Sequence, residues 1–135
     1  MKAQVCIIGG GPSGLLISQL LHLQGIDTVV LEKHSREYVL DRIRAGVLEH
    51  GFAALMREAQ CGERMEKEGE IHEGFFIADN GVSKRRVDLK KYSGGNGVIV
   101  YGQTELTRDL YSARDRLNGK VLHNVDDVQL HDLTS

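Results

Sequence analysis

Gly9, Gly11 and Gly14, with Glu32 18 positions beyond the last of them, are the residues whose types and spacing most directly specify chemistry. The run Gly9-Gly10-Gly11-Pro12-Ser13-Gly14 fits the spacing GxGxxG. Between a strand and a helix, the first glycine of such a run permits a tight turn. The second lets a pyrophosphate approach the backbone, and the third lets helix and strand pack closely. The helix N-terminus then offers unpaired N–H groups and the positive end of its dipole to an anion, and Ser13 adds a hydroxyl donor. A carboxylate roughly 20 residues past the loop accepts hydrogen bonds from ribose hydroxyls and repels a 2′-phosphate. Glu32 therefore selects FAD or NAD over NADP at this site.

Such a loop means little without the elements that position it. Ala3 to Ile8 is apolar and β-prone, and Ser13 to Gln24 carries Leu15, Leu16, Leu20, Leu21 and Leu23 at helical spacing. Gly25 stands where a helix end favours positive φ, and Thr28 to Leu31 is a short buried-type strand that delivers Glu32. Strand, crossover helix and strand make a parallel βαβ unit. Past Glu32 the pattern changes. Charged residues dominate Lys33 to Arg44, and helices are expected near Val47 to Glu58 and Glu63 to Lys67. An Asn80-Gly81 turn between Glu73–Ala78 and Val82–Leu89 predicts an antiparallel hairpin. Val98 to Tyr101 reads as a strand, Thr104 to Leu117 as a helix with Leu106, Leu110, Ala113 and Leu117 inward, and Lys120–His123 and Val125–Leu133 as closing strands. The expected fold is α/β: a Rossmann-like βαβ unit with inserted helices and an antiparallel hairpin. Those insertions disfavour a simple dehydrogenase. An NAD- or flavin-dependent dehydrogenase and a non-catalytic nucleotide-binding module nevertheless remain open on the motif alone.

The composition is ordinary for a globular protein, with 17 basic and 19 acidic residues among 135 and no apolar run of membrane-spanning length. The apolar stretch after Lys2 is cut by Gly9 and is too short for a signal-peptide core, so a cytoplasmic protein is expected. The near-balanced charge argues against nucleic acid as a partner, the local cluster Lys84-Arg85-Arg86 notwithstanding. Cys6 reads as a core residue and Cys61 as incidental in a polar loop, with no spacing that suggests a metal site.

Five stretches resemble the flavoprotein aromatic hydroxylases: Val5–Leu16 (VCIIGGGPSGLL), Tyr38–Leu48 (YVLDRIRAGVL), Ile71–Gly74 (IHEG), Arg86–Leu89 (RVDL) and Tyr101–Leu110 (YGQTELTRDL). The resemblance runs along the whole chain but matches only the N-terminal third or so of a family member. It implies that residues 1–135 form an FAD-binding domain, the substrate domain lying outside them, and that this part alone is inactive. It further implies FAD bound in extended form, with Ser13 and Glu32 on the adenosine half. Arg42, Ile43, Arg44, Ala45, Gly46 and Val47 would pass along the pyrophosphate and flavin, and Gln103 would meet the ribityl chain. Arg42 and Arg44 can offer forked donors to phosphate oxygens.

The activity implied is the transfer of one oxygen atom of dioxygen to a phenolic acid such as 4-hydroxybenzoate, ortho to its hydroxyl, with NADPH or NADH as co-substrate. His72 matches the family's catalytic proton relay, and the nicotinamide nucleotide would meet the segment Lys33 to Tyr38, through Lys33, His34 and Tyr38, with Arg44 serving both it and FAD. Lys33 stands where an arginine is common in NADPH-preferring members, so the charge is kept and the bidentate fork lost. His22, His34, His50, His123 and His131 have no such catalytic context and read as surface or packing residues. A homodimer of the full-length protein is compatible with this picture.

Overall fold

A computed structural model describes residues 2–42 and 44–131. The parallel unit begins with β1 (Val5–Ile8), α1 (Pro12–Leu23) and β2 (Thr28–Leu31), and is completed at the far end of the chain by β8 (Lys120–Leu122). The three strands form a parallel sheet in the order β1-β2-β8. Between β2 and β8 come α2 (Arg36–Asp41), β3 (Val47–Glu49), α3 (His50–Glu58), α4 (Glu63–Glu68), β4 (Glu70–His72), β5 (Gly74–Asp79), β6 (Ser83–Asp88), α5 (Leu89–Tyr92), β7 (Val98–Val100) and α6 (Gln103–Arg116). β7 lies between β3 and β4 in an antiparallel sheet, and β5 pairs with β6 as a separate hairpin. The α/β fold with its inserted helices and hairpin is thus present. No described helix is long and apolar enough to cross a membrane.

One core joins these parts. Leu15 and Leu16 of α1, Ala53 and Met56 of α3, Met65 of α4 and Leu106, Leu110 and Ala113 of α6 form one apolar cluster. α6 therefore packs against α1 and carries its own N-terminus up to the glycine loop. Gly25 closes α1 at φ 75°, and the hairpin turns through Asn80 and Gly81, both at positive φ, as the twist of paired strands requires.

Several expectations are corrected. Val47–Glu49 is a strand and not a first helical turn, because its backbone pairs with Val98–Val100 before α3 starts at His50. The charged stretch after Glu32 contains α2, whose Ser35 cap accepts from the Tyr38 N–H at 3.2 Å. β4 is an additional strand, paired to β7. Leu117 terminates α6 and is partly exposed rather than inward. Val125 to His131 forms no strand; positive φ at Asn124 and Asp127 breaks the extended run, and Asp132 and Leu133 lie outside the described residues.

The two cysteines exchange places. In β1 the odd residues face the packed side, so Cys6 points the other way and is exposed. Cys61 folds under α3, with its Sγ 3.6 Å from the Met56 carbonyl, and burial pushes its thiol up to about 11.

Candidate nucleotide-binding cleft

Glu32 is the centre of the site. Its Oε2 accepts from the Gly10 N–H at 2.6 Å and its Oε1 from the His34 N–H at 2.9 Å. Its own backbone is clamped to β8 and the chain beyond: its N–H donates to the Leu122 carbonyl, and its carbonyl accepts from the Val125 N–H. Burial would raise its pKa, but the N–H donors of His34 and Gly10 outweigh that and hold the carboxyl below its ordinary range. It is consequently an ionised acceptor at neutral pH, with lone pairs left over for a ligand's hydroxyls.

The glycine loop supplies the other wall. Gly9 adopts φ 111° and donates to the Leu31 carbonyl at 2.8 Å. A Cβ on Gly14 would strike the Gly9 carbonyl, whereas a Cβ on Gly11 would meet nothing within 4 Å. The space over Gly11 is therefore open for a ligand. α1 starts with Gly11 as its cap and Pro12 at its first position; no side chain caps it and its first turn carries no acid. Its positive end is left for an anion.

One cleft of about 190 Å³ brings together Gly11, Glu32, His34, Tyr38, Arg42, Arg44 and Gln103. Those seven span the chain from residue 11 to residue 103, yet all were singled out by residue type or resemblance. Among the described residues no carboxylate pairs with Arg42 or Arg44. The Arg42 guanidinium lies 5.8 Å from the Tyr38 ring, and the Tyr38 and His34 rings meet at 4.1 Å. An uncapped helix start, open backbone at Gly11, two arginines and an ionised carboxylate suit a pyrophosphate-linked nucleotide.

Other residues take different positions. Ser13 is exposed beside the loop, at the mouth of a groove between α1 and α3. Gly46 is pressed against the corner after β7, its carbonyl accepting from the Tyr101 N–H at 2.7 Å; a Cβ there would strike the Tyr101 carbonyl. Val47 opens β3, and Ala45 is exposed just before it. Ile43 lies outside the described residues. Lys33 lines a second hollow across Glu32, with Gly9, His34 and residues 125–128. Arg36 turns away from the cleft, 4.5 Å over the Tyr111 ring and 2.7 Å from Asp115. His72 stands on β4 outside the cleft, half exposed, with its Nε2 3.5 Å from the Glu70 carboxylate.

Pro12, Val39 and Thr107 complete the cleft. Thr107, one helical turn after Gln103, was within reach of sequence reasoning through its i+4 spacing. Residues 125–128 carried no such signal, since they reach Glu32 only because β8 pairs with β2. His123, set aside as packing, places its Nδ1 3.2 Å from the His34 carbonyl and helps fix that segment.

Residues 2–134 match the family model described as FAD binding domain. The chain is 45% identical over 132 residues to p-hydroxybenzoate hydroxylase of Acinetobacter baylyi, covering 98% of this chain and 32% of that protein. It is 30% identical over 109 residues to 6-methylpretetramide 4-monooxygenase of Streptomyces rimosus, covering 78% of this chain and 25% of that protein. Its fold matches that of p-nitrophenol 4-monooxygenase from Pseudomonas putida, with a TM-score of 0.80 at 21% identity over 98% of this chain and 34% of that one. The chain spans about a third or less of the length of these proteins.

Proposed function

We propose, on the premise that this chain belongs to the FAD binding domain family, that residues 1–135 supply the FAD-binding part of an aromatic-ring monooxygenase. The reaction is insertion of one oxygen atom of dioxygen ortho to the hydroxyl of 4-hydroxybenzoate, or a closely related phenolic acid, giving 3,4-dihydroxybenzoate in the parent case. The observation that carries this reading is the 45% identity to p-hydroxybenzoate hydroxylase along nearly the whole chain.

FAD, when bound, accepts reducing equivalents from NADPH or NADH and activates dioxygen. The chain's own residues bind and orient. Glu32, held ionised by two backbone donors, accepts from the ribose hydroxyls. The start of α1, with Gly9, Gly11, Ser13 and Gly14, receives the pyrophosphate, and Arg42 and Arg44 neutralise it. Ile43, Ala45, Gly46 and Val47 follow the flavin side, and Gln103 meets the ribityl chain. Lys33, His34 and Tyr38, with Arg44, face the nicotinamide nucleotide. His72, open to solvent on β4, carries the phenolic proton outward. The full protein acts in the cytoplasm, and a homodimer suits it.

The test uses the full-length protein. A yellow preparation with a flavin spectrum should oxidise NADPH or NADH faster when 4-hydroxybenzoate is added, consume dioxygen and release 3,4-dihydroxybenzoate, identified by chromatography. A flavin-loaded protein whose reductant oxidation ignores every phenolic acid offered would overturn the substrate reading.

A further inference from the structure

The corner between β7 and α6 consists of Tyr101 and Gly102, and it ties the Gly46 segment, two residues past the cleft residue Arg44, to the start of α6, where Gln103 lines the cleft. On one side the Tyr101 N–H donates to the Gly46 carbonyl at 2.7 Å, and the Tyr101 carbonyl leaves no room for a side chain at Gly46. On the other, Gly102 caps α6, whose first residue is Gln103. The Tyr101 backbone is therefore in contact with Gly46 on one side and separated from Gln103 by Gly102 alone on the other.

Tyr101 is buried, and its phenol is tied down. Its Oη donates to Asp109 Oδ2 at 2.7 Å, two turns along α6. The other carboxylate oxygen, Oδ1, accepts from Arg64 Nη1 of α4, also at 2.7 Å. Arg64 is itself held by Glu105 at 2.8 Å and by Glu68 at 3.0 Å. Two residues along a helix turn about 200°, so Glu105 and Asp109 lie nearly opposite the Gln103 and Thr107 face that lines the cleft. The network thus grips the back of α6 and the corner from which its front is presented.

We propose that Tyr101, locked by Asp109 and Arg64, is a positioning residue that sets the separation between the Gly46 segment and Gln103, and thereby the fit of the flavin nucleotide between them. This rests on the FAD reading above. A tie that served only to hold α4 on α6 would not need the phenol of the corner residue as its third member.

The experiment compares Tyr101→Phe, Asp109→Asn and Asp109→Leu with the unsubstituted full-length protein, titrating the apoprotein with FAD and following quenching of flavin fluorescence and visible circular dichroism. Thermal midpoints of the apoproteins are measured alongside. Tyr101→Phe keeps the ring and removes one hydrogen bond; it should lower the apoprotein midpoint by only a few degrees, while weakening FAD binding about three- to tenfold and changing the flavin dichroism. Asp109→Asn, which still accepts from the phenol, should fall between the unsubstituted protein and Asp109→Leu. Unchanged FAD affinity and dichroism in Tyr101→Phe and both Asp109 variants would overturn the proposal, as would losses that merely track apoprotein stability. Failure of the unsubstituted protein to bind FAD would instead remove the cofactor reading, and this proposal with it, before any variant is compared.

Discussion

The Glu32 carboxylate accepts a 2.6 Å hydrogen bond from the Gly10 N–H, 22 residues earlier in the chain. One residue thus both shapes the phosphate loop and offers acceptors to a ribose. Glu32→Gln, which keeps the shape and loses the charge, should weaken FAD retention in full-length protein by about 1–3 kcal/mol. Equilibrium dialysis or flavin fluorescence measures it, and unchanged retention would remove the role assigned to Glu32.

The same carboxyl makes a pH prediction. Its folded pKa lies below the ordinary 4.5, so its contribution to stability is fully present above 4.5 and lost as pH falls through the lower folded value. The stability difference between the unsubstituted protein and Glu32→Gln should be flat from pH 7 to about 5 and shrink only in more acid solution. Denaturant titrations at each pH would show it; a difference already shrinking near neutrality contradicts the assignment.

Gly11 and Gly14 should separate binding from folding. A methyl on Gly14 collides with the Gly9 carbonyl and the Ile7 side chain, so Gly14→Ala should cost about 1–3 kcal/mol of stability. Gly11→Ala meets no neighbour within 4 Å and should change stability by less than about 0.5 kcal/mol while impairing FAD binding. Equal stability losses in the two variants would contradict this.

Arg114 is fully buried, with donors 3.2 to 3.4 Å from the Ser18 carbonyl, Gln19 and Thr28 and with its Nε unpartnered among the described residues. Burial without a facing carboxylate lowers its pKa. Arg114→Met retains most of the volume and should stay within about 1.5 kcal/mol of the parent. Arg114→Ala leaves a cavity and should cost about 3 kcal/mol or more. Urea unfolding of both variants checks the order.

Cys61, buried and with its thiol pushed up to about 11, should resist alkylation in native protein at pH 8 and react fully after denaturation. Rapid native labelling, mapped by mass spectrometry, would show that α3 and its following turn open readily.

The parallel unit was legible because its signals are local. A glycine loop between an apolar strand and a helix with leucines at helical spacing, followed by a β-branched strand and an acid, needs no distant contact to be recognised. The hairpin at Asn80-Gly81 was legible for the same reason. Val47–Glu49 misled because a three-residue strand carries too little periodicity to be told from a helix start, and its pairing partner lies at Val98–Val100. Cys6 misled because an apolar strand does not say which of its faces is covered.

Residue types alone therefore specified the loop and the acid at position 32, and the family resemblance added the arginines whose charge suits a diphosphate. Local steric and electrostatic rules govern each of them. Burial and partnership were settled by contacts between distant segments. β8 brings residues 125–128 to Glu32, and α6 presents Gln103 and Thr107 beside Arg42 and Arg44. Arg36 turns onto Tyr111 and Asp115 and away from the cleft. Those outcomes depend on how helices pack and strands register, which no local window of sequence contains.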